Sequence, residues 1–340
     1  MTALTLRHRI ARSLYSPARA VLHTVHRPAK ALTVAASGLL LVMGTGASPL
    51  SKPAGPAPAG GKAWFDAKSV CVFRLGSDRA MPQDREELSD ALLAGWRRSI
   101  QLPDASKAVT IEGGAYPSIG DLRINLSDGE LKAGQKKDKI KLNNKVEKTL
   151  DVQHLEVRGE PLLLQKARLN MSLVADAARL ELERDRRGRP VMMLADARNG
   201  SLSFNVSQTD VQDLLLKNAR EMAGKYGVKV ESTKLTLAPE TPRSIQATLH
   251  ISTKVGFIPA GMLFKAHVVV DDAMNATITG LTCDGDEALG PLIVGLLRPA
   301  LAKYNNETRP LVSFPAGNLR LRDVAVKVDD SLHLNASFGT

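Results

Sequence analysis

The stretch Asp323–Phe338, DVAVKVDDSLHLNASF, sets the reading of the chain. Val324, Val326 and Val328 recur at every second position, Asp329-Asp330-Ser331 supplies a turn, and Leu332, Leu334, Ala336 and Phe338 resume the period. A period of two on both sides of a turn describes an antiparallel hairpin with one apolar and one wet face. The same pattern recurs toward the N-terminus. It is found in Phe264, Ala266, Val268 and Val270, in Ile245, Ala247, Leu249 and Ile251, and in Leu202, Phe204 and Val206. Leu180 with Leu182, then Leu169, Met171 and Leu173, then Val152, Leu155 and Val157 continue it. Leu122, Ile124 and Leu126 complete the series and end at a Ser127-Asp128-Gly129 turn. These are half-buried antiparallel strands, several long enough to curve.

Three segments change the period to that of a helix. Over 83–98, Leu88, Leu92 and Trp96 fall four apart, with acids early and Arg97 and Arg98 late. After Ser207, the pair Ser207 and Asp210 resembles a capping box, and Val211, Leu214, Leu215, Ala219 and Met222 share a face until Gly224 or Gly227. The third helix, expected over 287–305, has Pro291 in its first turn and Pro299 as a kink. It is apolar around most of its circumference, so protein or lipid must enclose it. Acids before it (Asp284, Asp286, Glu287) fit a cap better than a cation site.

The 340 residues are 44% hydrophobic and 24% charged, which excludes wholesale disorder. Two cysteines, Cys71 and Cys283, exclude a disulfide-stapled miniprotein or a Cys-rich metal module. Whether those two pair in an oxidising compartment or are buried separately stays open. The formal net charge of +11 is concentrated at one end. Residues 1–65 hold eight basic side chains and no acid, so subtracting those eight leaves +3 for the other 275 residues. An apolar run, ALTVAASGLLLVMGTGASPL at 31–50, follows Lys30. A cationic segment, an apolar run and small residues after it make an export signal. A retained membrane anchor and an organelle transit peptide are the alternatives. The chain therefore divides into an export signal or anchor at 1–48, a Pro/Ala/Gly-rich linker at 49–66, a short helical segment at 67–110 and an α+β domain at 111–340.

Catalytic signatures are missing: there is no H-E-x-x-H, G-x-S-x-G, phosphate-binding lysine loop, G-x-G-x-x-G or C-x-x-C. His154, His250, His267 and His333 lie in or beside strand patterns at no ligand spacing, so no metal, cofactor or catalytic residue is expected. The lysine-rich segment 132–148 carries no aromatic and no arginine, so nucleic-acid readout is not supplied. A solvated loop is its first reading. An anionic membrane surface contacted by Lys136, Lys137, Lys139 and Lys141 is the second. Seven N-x-S/T triplets fall mostly on wet strand positions, which explains them without a glycan.

Between 257 and 264 the alternation breaks, since Met262, Leu263 and Phe264 are apolar in succession. An apolar connection marks either a buried bulge or a membrane lip, the latter formed by Phe257, Ile258, Met262, Leu263 and Phe264.

Residues 157–165, VRGEPLLLQ, and 205–215, NVSQTDVQDLL, resemble the LmeA family of bacterial envelope phospholipid-binding proteins. Val157, Gly159, Pro161, Leu163 and Gln165 match that family's turn, and Ser207, Asp210, Leu214 and Leu215 match its helix start. Glu160 stands where the family carries an aromatic, and the lysine-rich insert and the strands after Tyr304 also depart from it. The apolar helix followed by a final hairpin is similar to tubular lipid-binding (TULIP, BPI-like) domains. The resemblance implies a long curved antiparallel sheet wrapped around apolar helices, with an acyl chain in the groove and no catalysis. The expectation is an exported protein of the envelope or periplasm, free or tethered by its leader. It would bind phospholipid or a similar amphiphile through Val211, Leu214, Leu215, Met222, Leu292, Ile293, Leu296 and Leu297. The alternative is a β-rich structural or interaction protein whose helices merely fill the core.

Overall fold

The computed structural model describes residues 72–76, 80–132, 140, 142–224, 228–271, 275–302, 304–310 and 319–340. In chain order the elements are β1 (Val72–Arg74), α1 (Arg85–Ser99), β2 (Ile100–Gln101), β3 (Val109–Glu112), β4 (Ser118–Asn125), β5 (Glu130–Leu131) and β6 (Leu142–Leu164). Then come β7 (Ala167–Asp185), β8 (Pro190–Asp196), β9 (Asn199–Ser207), α2 (Gln208–Gly224), β10 (Val228–Thr241), β11 (Ser244–Val255), β12 (Ile258–Val270) and β13 (Asn275–Asp286). The chain ends with α3 (Gly290–Leu301), β14 (Thr308–Pro310), β15 (Arg320–Val328) and β16 (Ser331–Gly339). The protein is α+β and mostly β-sheet.

An 11-stranded sheet runs β15-β16-β9-β7-β6-β4-β3, with β1, β2, β5 and β8 attached off that path. Its spine is the β6–β7 ribbon, paired from Leu142↔Asp185 to Leu164↔Ala167 and interrupted by three register shifts. Each shift bends the ribbon and increases its twist. The partner of β7 changes midway: β9 pairs Leu169–Asp176 and β8 pairs Arg179–Arg184. A five-stranded antiparallel meander, β10-β11-β12-β13-β14, forms the second sheet. One apolar cluster joins the two sheets, holding Leu122, Leu155 and Leu180 together with Leu235, Ile251, Phe264 and Ile278. The Val326 N–H donates to Pro242 O (2.8 Å) and ties β15 to the β10–β11 turn.

The alternating segments are strands as expected, but the large sheet is mixed, because β4 pairs with β6 in parallel. The Ser127-Asp128-Gly129 turn does not close a hairpin. Asp128 N–H donates to Pro161 O and Leu163 N–H to Gly129 O, so the turn docks on the side of β6. The turn expected within 157–165 is also corrected. The chain stays extended through Leu164 and reverses at Gln165 and Lys166, both at positive φ. Pro161, which has no N–H to give the ladder, falls inside a register shift between Gly159 and Leu162. The helix starting at Ser207 forms as read, with Asp210 N–H donating to Ser207 Oγ and Ser207 Oγ donating to Asp210 Oδ2. The last helix is shorter than expected: Glu287, at φ 61°, holds the preceding turn out of it. Asp284 and Asp286 belong to β13 and Glu287 to the turn after it, so none of the three stands directly before the first residue of α3.

Candidate functional site

The second sheet positions the two helices singled out by sequence. Helix α2 lies along the outer edge of β10, and polar residues spaced along one side of it supply that edge with partners. Gln208 Nε2 donates to Leu235 O (2.6 Å) and Leu235 N–H donates to Gln212 Oε1 (3.1 Å). Thr233 Oγ1, itself buried, donates to Gln212 O (3.3 Å). Further along, Arg220 Nε donates to Val230 O (3.1 Å) and its Nη2 to Glu231 O (2.8 Å). An edge strand exposes a row of unpaired N–H and C=O groups, and a covering helix is one way to satisfy them. Here helix side chains bond the edge directly. At the end of this seam an open cleft of about 560 Å³ is lined by Arg220, Gly224, Val228, Lys229, Val230 and Glu231.

Helix α3 packs on β13 and β12, and Val294 and Leu301 join the apolar cluster that contains Met262, Phe264 and Cys283. Its start is held close to the strands: Leu289 N–H donates to Pro259 O (3.4 Å), and a Cβ on Gly290 would lie 2.6 Å from Gly261 O. Only glycine permits that approach. Burial, then the charge of Asp284, pushes the Cys283 thiol up to about 12 against the opposing pull of Arg298. Cys283 is a buried free thiol, and Cys71 lies outside the described residues.

The expected groove residues divide into three groups. Val211 and Leu215 are 1% and 5% exposed and sit in the packed core, with Leu214 and Ile293 partly buried against it. Leu292 is 56% exposed, so α3 is not fully enclosed by protein as its composition requires. The side chains of Met222, Leu296 and Leu297 lie outside the described residues, as do Lys136, Lys137, Lys139 and Lys141. The expected lip is corrected by the pleat of β12. Met262 and Phe264 point inward and are buried, Leu263 is half-buried on the opposite face, and Phe257 and Ile258 remain exposed at the β11–β12 turn.

His154, His250, His267 and His333 each stand beside a carboxylate: Asp176 (2.9 Å), Asp286 (3.5 Å), Glu240 (2.7 Å) and Asp329 (3.1 Å) in that order. They are scattered over the strands rather than gathered. Among the described residues no group of three or more His, Cys, Asp or Glu could hold a metal ion, and no helix is long and apolar enough to cross a membrane. Sequence reading missed Gln208, Gln212 and Arg220. Their spacing, four and then eight residues on, was the available signal, since it places all three on one stripe of a helix. Compared with known proteins, the chain matches no family model, no curated protein and no solved structure.

Proposed function

We propose that this protein binds phospholipid or a similar amphiphile non-covalently in the cell envelope, without catalysis or cofactor. The observation that carries the reading is α3. Its twelve residues, GPLIVGLLRPAL, include one charged side chain, yet Leu292 is left 56% exposed on the sheet it packs against. An acyl chain is the cover such a helix calls for, and burying one contributes ~0.8 kcal/mol per CH₂. The TULIP-like wrapping of sheet around helices, the LmeA-like segments at 157–165 and 205–215, and export through the leader belong to the same proposal. So does an anionic membrane partner for Lys136, Lys137, Lys139 and Lys141. Close packing around Val211 and Leu215 favours the second reading, a β-rich interaction protein with no lipid ligand. Organic extraction of the purified protein followed by mass spectrometry separates the two. Phospholipid recovered in fixed ratio to protein is the expected result, and a lipid-free extract supports the interaction protein instead.

A further inference from the structure

Three exposed apolar side chains lie at the same end of the second sheet. Phe257, at the tip of the β11–β12 turn, is 100% exposed, Ile258 beside it 47%, and Leu292 in the first turn of α3 56%. The bond from Leu289 N–H to Pro259 O places the start of α3 at this end. The open cleft is at the same end, because its lining residues Val228 and Lys229 pair with Val255 and Lys254, which lead directly into the turn. Isolated apolar residues on a surface are ordinary, but a fully exposed phenylalanine at a hairpin tip backed by two more apolar groups is not.

We infer that this tip inserts into the interfacial layer of a lipid bilayer, so that the cleft opens at the membrane surface. The inference rests on the lipid-binding reading for the source of the amphiphile, and adds where protein and bilayer meet. A protein partner fits less well. A Phe side chain buries about 150–250 Å² and the other two are already half covered, well short of the ~800 Å² per partner of a stable interface. A bilayer needs no matched surface. Charges around the tip are mixed: Lys254 is paired with Glu231 (2.8 Å) and His250 with Asp286 (3.5 Å), while Lys229 and Glu287 are exposed. Insertion of the tip itself therefore depends on apolar burial and only weakly on salt.

The test places an indole at the tip. Phe257→Trp in the full chain is titrated with phosphatidylcholine/phosphatidylglycerol vesicles whose acyl chains are brominated, with the unsubstituted protein as the background for Trp64 and Trp96. The expected result is a blue-shifted emission and quenching beyond that background. Adding Ile258→Ser and Leu292→Ser should lower partitioning about tenfold. An introduced indole that keeps a solvent-exposed spectrum at saturating vesicles overturns the inference, and so does quenching that the serine pair leaves unchanged. Lipid extraction of the same variants keeps the two claims apart. Variants that lose quenching but retain co-purified lipid support a docking role separate from cargo binding. Quenching in a protein that carries no extractable lipid supports the tip and removes the cargo reading.

Discussion

Gln212→Ala is the substitution that most directly probes how α2 is held on the second sheet. The amide oxygen of Gln212 accepts the Leu235 N–H at 3.1 Å, and Leu235 is 3% exposed. Leu235 is itself buried, which limits the access of water to the freed N–H. Removing one partner of a buried pair leaves the other desolvated, which costs about 1–3 kcal/mol. For a domain of this size each kcal/mol lowers Tm by roughly 2–4 °C, so a fall of several degrees is expected. The bond from Thr233 Oγ1 to the Gln212 backbone carbonyl survives the change, which confines the effect to one N–H. Amide hydrogen exchange reads it locally: Leu235 should lose protection while residues of β12 keep theirs. Gln212→Glu, which retains an acceptor oxygen, should recover much of the protection. A Gln212→Ala protein with unchanged Tm and an unchanged Leu235 exchange rate would refute the account of α2 as the cover of the β10 edge.

Three further outcomes follow from the packing. Leu215→Ala should cost ~2–5 kcal/mol in urea unfolding because Leu215 is core, whereas Leu292→Ala should stay within about 0.5 kcal/mol; comparable losses would erase the distinction between them. Burial alone would raise the Asp185 carboxyl, but the Arg189 backbone and side chain and the Arg187 N–H outweigh it and hold it below its ordinary value. Its contribution is therefore present above the unfolded value near ~3.9 and lost as pH falls through the folded value, so the stability gap between wild type and Asp185→Asn should close in acid. A gap that persists unchanged at strongly acidic pH contradicts this. Cys283, pushed up to about 12 by burial, should resist alkylation in the native protein at pH 8 and react in urea; rapid native labelling would place it at the surface.

Strands with one wet face were legible because alternation survives wherever a sheet meets water. Ile245, Ala247, Leu249 and Ile251 all fall on β11 as read. Strand β8 was not legible, since Val191–Ala195 is buried on both faces and shows no period. Val191 and Met193 pack on Ile140 and Leu142, while Met192 and Leu194 face the main core. The lip was half legible: periodicity marked a break at 262–264, but only pairing to β11 and β13 fixes Met262 and Phe264 inward. The parallel β4–β6 pair left no local trace, because its connection spans many residues and pairing direction is a property of topology. Capping of the β10 edge was hidden for a similar reason. Gln208, Gln212 and Arg220 read as an ordinary solvated helix face until β10 lies beside them.

We propose that the apolar surface left open on α3 is covered by an amphiphile. Native mass spectrometry of the protein, purified without detergent, tests it most directly. The expected result is a population heavier than the polypeptide by the mass of one phospholipid, which collapses to the bare chain on denaturation and is restored by incubation with phospholipid vesicles. A single species at the polypeptide mass, unchanged by vesicles, would contradict it.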